Sequence, residues 1–188
     1  MPAVTASPEV AAAVWKPLMF RAVIAVAFGA LSVFWQHPGE AFVAYSFGAY
    51  LVLTSKSAWD FAVAPVVPSP VRGLLGGAAI AWSFCAIFML IFASTTAMSL
   101  AGGIGLAVAG ILELVVYFRH RRDLVPAREF LITGVVSTVT GLLLLVWPGL
   151  DAHGIFGVAG GGAIIIAVFL LIAAFGYRHD ARERSTGR

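Results

Sequence analysis

Four charged residues interrupt otherwise apolar stretches of this chain: Arg21, Lys56, Asp60 and Glu113. Glu113 is the most informative. It lies six residues before Arg119, roughly 9 Å inside the helix end at about 1.5 Å per residue. A charge at the centre of a bilayer costs about 2.5–3.5 kcal/mol on insertion scales, and less near the interface. Arg21 and Lys56 have long stems that reach back to the headgroups, whereas a glutamate stem is too short to do so. Glu113 is therefore expected either to pair with a cation inside the protein or to be protonated. Lys56 is the preferred partner and Arg21 the second, with Asp60, one helical turn from Lys56, extending the network. Such a cluster is either a structural ion pair that fixes helix positions or a proton-linked relay.

A second set of titratable groups falls in two short polar segments. His37 and Glu40 lie in one, Asp151 and His153 in the other. Histidine titrates near pH 6.5 and carboxylates near about 4, so both segments change charge on acidification and are candidates for proton sensing. A metal site built from His37 and His153 matches no ligand spacing. Cys85 is the one cysteine and sits in an apolar run, so neither an intramolecular disulfide nor a cysteine-based zinc site is expected. No nucleophile with a base, phosphate loop, dinucleotide fingerprint or zinc-protease helix is present. The expectation is a protein that is not an enzyme and carries no cofactor.

The elements that must hold these residues are set by hydrophobicity. The chain has 188 residues, 61% hydrophobic and 11% charged, where soluble domains carry about 25% charged residues. Its mean hydropathy is +0.97. Six segments have the length that a membrane crossing needs: 17–35, 41–62, 74–93, 97–118, 130–147 and 154–176. The second is interrupted by Lys56 and Asp60. All twelve Lys and Arg residues fall on one side of a six-helix arrangement, which the positive-inside rule makes cytoplasmic. The reading is all-α: a multi-pass membrane protein with a cytoplasmic N-terminal segment over 1–16 and a polar cytoplasmic tail over 177–188. The net charge of +3 is explained by topology and lipid headgroups, and no nucleic-acid partner is expected.

Small residues supply the packing signal. Gly73 and Gly77 form one GxxxG pair and Gly157 and Gly161 another, while Gly102 and Gly103 open a glycine-rich fourth segment. Such residues let helices approach closely in lipid, within one chain or in a homo-oligomer or complex with other membrane proteins. They also recur. At a constant offset of 56, Ala22, Ala78 and Gly134 align, as do Ala25, Ala81 and Ser137, Gly29, Cys85 and Gly141, Leu31, Ile87 and Leu143, and Trp35, Ile91 and Trp147. Segments four and six align at 59, with Phe118-Arg119-His120 against Tyr177-Arg178-His179. Three tandem helical hairpins account for the pattern.

The stretches WKPLMFRAVIAVAFGALSVFW, FGAYLVL and ITGVVSTVTGLLLLVWPG, with the glycine-rich sixth segment ending AFGYRH, resemble the HdeD-like acid-resistance membrane proteins. The resemblance runs from about Trp15 to His179. It departs where Gln36 and His37 separate Trp35 from Pro38, where Ser55 stands in a return helix, and where the middle hairpin lacks a Trp-Pro turn. It implies a bacterial plasma-membrane protein linked to acid or envelope stress, and it carries over no catalytic residue. The expected function is structural or stress-protective, exerted through helix packing and partner contacts. The alternative is a small transporter or channel component with a proton-linked charge relay at the inner leaflet.

Overall fold

The computed structural model describes residues 8–65, 67–122, 124–147 and 149–186. Residues 1–7 of the expected N-terminal segment, Pro148 of the Trp-Pro turn, and residues 187–188 of the tail lie outside the described residues. Among those described there is no strand, and six long helices follow one another: α1 (Pro8–Phe34), α2 (Glu40–Ala62), α3 (Ser69–Phe92), α4 (Thr95–His120), α5 (Ala127–Val146) and α6 (Ala152–Thr186). All but α2 are long and apolar enough to cross a membrane by length and composition. Glu40, Lys56 and Asp60 dilute the apolar character of α2. The outward faces are lined by exposed Val23, Ile80, Ile87, Val139 and Ile172. A water-soluble protein does not display such a belt, and the chain is a membrane-embedded helical bundle.

The helices overrun the expected spans at both chain ends. α1 begins nine residues before position 17 and continues through Pro17. Ala11 and Val14 are buried on it. The polar tail is helical through Thr186 and not a loose extension. Its first turn is anchored, because the Tyr177 hydroxyl donates to Glu129 Oε1 at 3.1 Å and the Arg178 guanidinium lies 5.7 Å from the Trp15 ring centre. Hydropathy marks only the part of a helix that meets hydrocarbon, so it misses turns held by packing beyond it. At the other end, the Ser94–Thr96 break is real but shorter than expected. Ala93 closes α3 in a left-handed conformation, φ 37°, and the Ser94 hydroxyl caps α4 by accepting from the Ala97 N–H at 3.2 Å.

Each helix packs on its sequence neighbours, and α1 and α6 close the ring by packing along their length. The three tightest pairs are α6 with α1, α2 with α3, and α4 with α5. These are the pairs between the expected hairpins, and the pairs within each hairpin are looser. Burial follows the internal register. Ala22, Ala78 and Gly134 are all buried, as are Gly29, Cys85 and Gly141, whereas Leu31, Ile87 and Leu143 are exposed.

Glycine makes the tight pairs possible. A Cβ on Gly110 would stand 2.6 Å from the Thr138 backbone nitrogen and 2.8 Å from the Gly134 carbonyl, and one on Gly141 would stand 2.6 Å from the Gly103 carbonyl. The α4–α5 seam is therefore backbone against backbone. Gly29, equivalent to Gly141 in the internal register, is also closely packed, but against a side chain: a Cβ there would stand 2.5 Å from Ile164 Cγ1 of α6. Within this chain, the two GxxxG pairs picked out from sequence do not make the close helix contacts. Gly73, Gly157 and Gly161 have nothing within 4 Å of a Cβ position, and Gly77 meets only Leu112 at 3.5 Å. Gly102 and Gly103 do pack, against Phe47 and against Leu145 with the Gly141 carbonyl. A π turn over Met98–Gly102 aims the Ser99 hydroxyl at the Leu144 carbonyl of α5, adding a polar bond to that seam.

Candidate functional site

The centre of the ring holds one ion pair. Arg21 sits midway along α1 and Glu113 in the C-terminal half of α4, two helices that are not neighbours in the ring. Arg21 Nη1 meets Glu113 Oε1 at 2.5 Å. Arg21 is 5% exposed and Glu113 0%, so water screens neither charge. Arginine is suited to the position because its planar guanidinium is weakly hydrated and stacks on aromatic faces. Its central carbon lies 5.0 Å from the ring centre of Trp82, which is itself fully buried on α3. Tyr50 of α2 is buried within electrostatic reach of both charges. Four helices thus converge on the pair.

The cluster leaves hydrogen-bonding capacity unused. Among the described residues, Arg21 Nε and Nη2, Glu113 Oε2 and Trp82 Nε1 are buried without a partner. Each buried, unmade bond of this kind costs about 1–3 kcal/mol, so the centre is not optimised for stability alone. Toward the end that carries the α1–α2 turn, stacked aromatic rings close it off. Phe28 stacks on Tyr50 with ring centres 4.6 Å apart and on Phe47 at 5.6 Å, and Phe156 stands edge-on to Phe28 at 5.5 Å.

The preferred sequence pairing of Glu113 with Lys56 does not occur. Lys56 instead bonds Asp60, one turn along α2, and both side chains are exposed. Its ammonium lies 5.3 Å from the Phe20 ring centre. The reason is rotational: Ser55 and Ser57 are the buried neighbours on α2, which turns Lys56 outward. Depth along a helix is readable from residue counts, but the direction a side chain takes around the helix is not, once small residues are buried on several sides. The register also shows that the charge is singular. An offset of 56 places Gly77 and Thr133 at the positions matching Arg21, so one of three equivalent sites carries the cation.

The second set of titratable groups stays apart from this centre. All four are exposed: His37 and Asp151 lie in the turns before α2 and α6, whereas Glu40 and His153, expected in those turns, fall in the first turn of α2 and of α6. Asp151 has a structural task, since its Oδ1 accepts from the Gly154 N–H at 2.7 Å and caps α6, a frequent use of aspartate at helix starts. No group of three or more His, Cys, Asp or Glu suited to a metal occurs among the described residues. Sequence reasoning missed Trp82 and Tyr50, whose only signal was a polar edge at mid-segment.

The model of a family described as a short repeat of unknown function (DUF308) matches residues 74–132 and again 132–186, together more than half of the chain. No curated protein and no solved structure matches the chain.

Proposed function

The chain belongs to the family of that short repeat (DUF308), and from this premise we propose that it is a non-catalytic protein of the bacterial inner membrane. In this reading it crosses the membrane six times, keeps both ends in the cytoplasm, and supports survival of acid or envelope stress through its packed bundle and partner contacts. The observation that carries the proposal is the isolation of the central pair. Arg21 and Glu113 are buried and bonded to each other, while Lys56 and Asp60 bond separately at the surface. A relay running from the inner surface to the centre is thus interrupted at its first step. The sequence resemblance to HdeD-like proteins supports the stress role, and the positive-inside bias supports the orientation.

Deletion of the gene followed by acid challenge tests this. Survival should fall and be restored by the intact chain. Unchanged survival of the deletion strain would remove the stress role. His37→Gln with His153→Gln separates sensing from structure: lost survival at normal expression assigns the sensing to the outer turns. A cysteine at Gly39 in a Cys85→Ser background should react with an impermeant thiol reagent in intact cells, and one at Ala127 should not.

A second reading, a small transporter or channel component, draws on the unpartnered atoms of Arg21 and Glu113. Proton or ion flux into liposomes carrying the purified protein, above that of empty vesicles, would favour it.

A further inference from the structure

A groove opens between α5 and α6 near the basic end of the bundle, with a volume of about 230 Å³. One wall is Arg128, Glu129, Ile132 and Thr133 from the first turns of α5, and the other includes Phe169 and Ile172 of α6. The chemistry of the two walls differs. Phe169 and Ile172 are exposed apolar surface, suited to a hydrocarbon chain. The α5 wall offers an exposed cation, Arg128, beside two acceptors that lack donors. Glu129 Oε1 takes the Tyr177 hydroxyl, but Oε2 is buried without a partner, as is Oγ1 of Thr133, which is 1% exposed.

We propose that this groove binds a phospholipid with a primary ammonium headgroup, of the phosphatidylethanolamine class. Arg128 takes the phosphate as a charge-assisted hydrogen bond. The ammonium has three N–H donors and supplies Glu129 Oε2 once the carboxyl turns toward the groove. One acyl chain lies along Phe169 and Ile172. A quaternary choline head has no N–H to donate, and a glycerol head carries no cation for the carboxylate, so both fit less well. The proposal requires only that the bundle is membrane-embedded, and it stands or falls separately from the stress role.

Native mass spectrometry of the full chain, delipidated and offered equal amounts of phosphatidylethanolamine, phosphatidylcholine and phosphatidylglycerol, tests it. Phosphatidylethanolamine should be retained with roughly tenfold preference over phosphatidylcholine, the size of effect a charged hydrogen bond gives. Glu129→Gln keeps the acceptor that serves Tyr177 but replaces the free carboxylate oxygen with a donor, so the preference should vanish. Tyr177→Phe breaks the neighbouring bond without altering the groove wall and should keep the preference. Arg128→Ala should lower retention of all three lipids. Equal retention of phosphatidylethanolamine and phosphatidylcholine by the unaltered chain would overturn the proposal, as would an unchanged preference in Glu129→Gln. Displacement of the lipid by soluble phosphoethanolamine would also overturn it, by assigning the site to a free headgroup.

Discussion

Two ion pairs of the same chemical type lie in this bundle in opposite settings. Lys56 and Asp60 are four residues apart on one helix and exposed. Arg21 and Glu113 are 92 residues apart on opposing helices and buried. The first restrains one turn of α2. The second couples α1 to α4 through the centre of the ring and leaves buried atoms unsatisfied around it. A local pair costs little to form and gives little. A buried long-range pair is tolerated because losing either partner strands the other away from solvent.

That contrast is sharpest on removing one partner. Glu113→Gln should leave Arg21 buried without a counter-charge and cost about 3–5 kcal/mol, read as a fall in thermal stability of the detergent-solubilised protein. Exchange of the two, Arg21→Glu with Glu113→Arg, should recover part of the loss. Recovery by Lys56→Glu with Glu113→Lys instead would show that the pairing is with Lys56.

Next in size are the seam glycines of α4 and α5. Gly110→Val or Gly141→Val puts side-chain atoms against backbone that has little room to move, and should cost about 1–3 kcal/mol as overpacking. Gly110→Val matching wild-type stability would mean that the seam is not closed as described.

The peripheral pair should be worth far less. Lys56→Ala should change stability by at most about 1 kcal/mol, and an effect as large as that of Glu113→Gln would erase the distinction between the two pairs.

The smallest loss is expected at Gly157 and Gly161. Alanine there meets open space and favours the helix, so the double substitution should cost no stability. A large loss, or a changed oligomeric state, would mark these glycines as an interface with another chain.

Much of the helical framework was legible from residue types because hydrocarbon thickness and backbone satisfaction leave a membrane chain few choices. Helix number, turn positions within a few residues, and the recurring small face at Ala22, Ala78 and Gly134 all follow from one-dimensional pattern. The need for Glu113 to be paired or protonated followed from its depth and short stem. Which cation answers it did not follow. Arg21 and Lys56 lie at similar depths in the sequence reading, and only the rotation of α1 and α2 about their axes turns one inward and the other out. The same limit applies to glycine. GxxxG at Gly73–Gly77 and Gly157–Gly161 has the spacing of a contact, yet the backbones that meet are at Gly103, Gly110, Gly134 and Gly141. Spacing specifies which residues share a face of one helix, and the ring of six helices decides which faces find a partner, because each helix can turn its small side only toward a neighbour that the topology supplies.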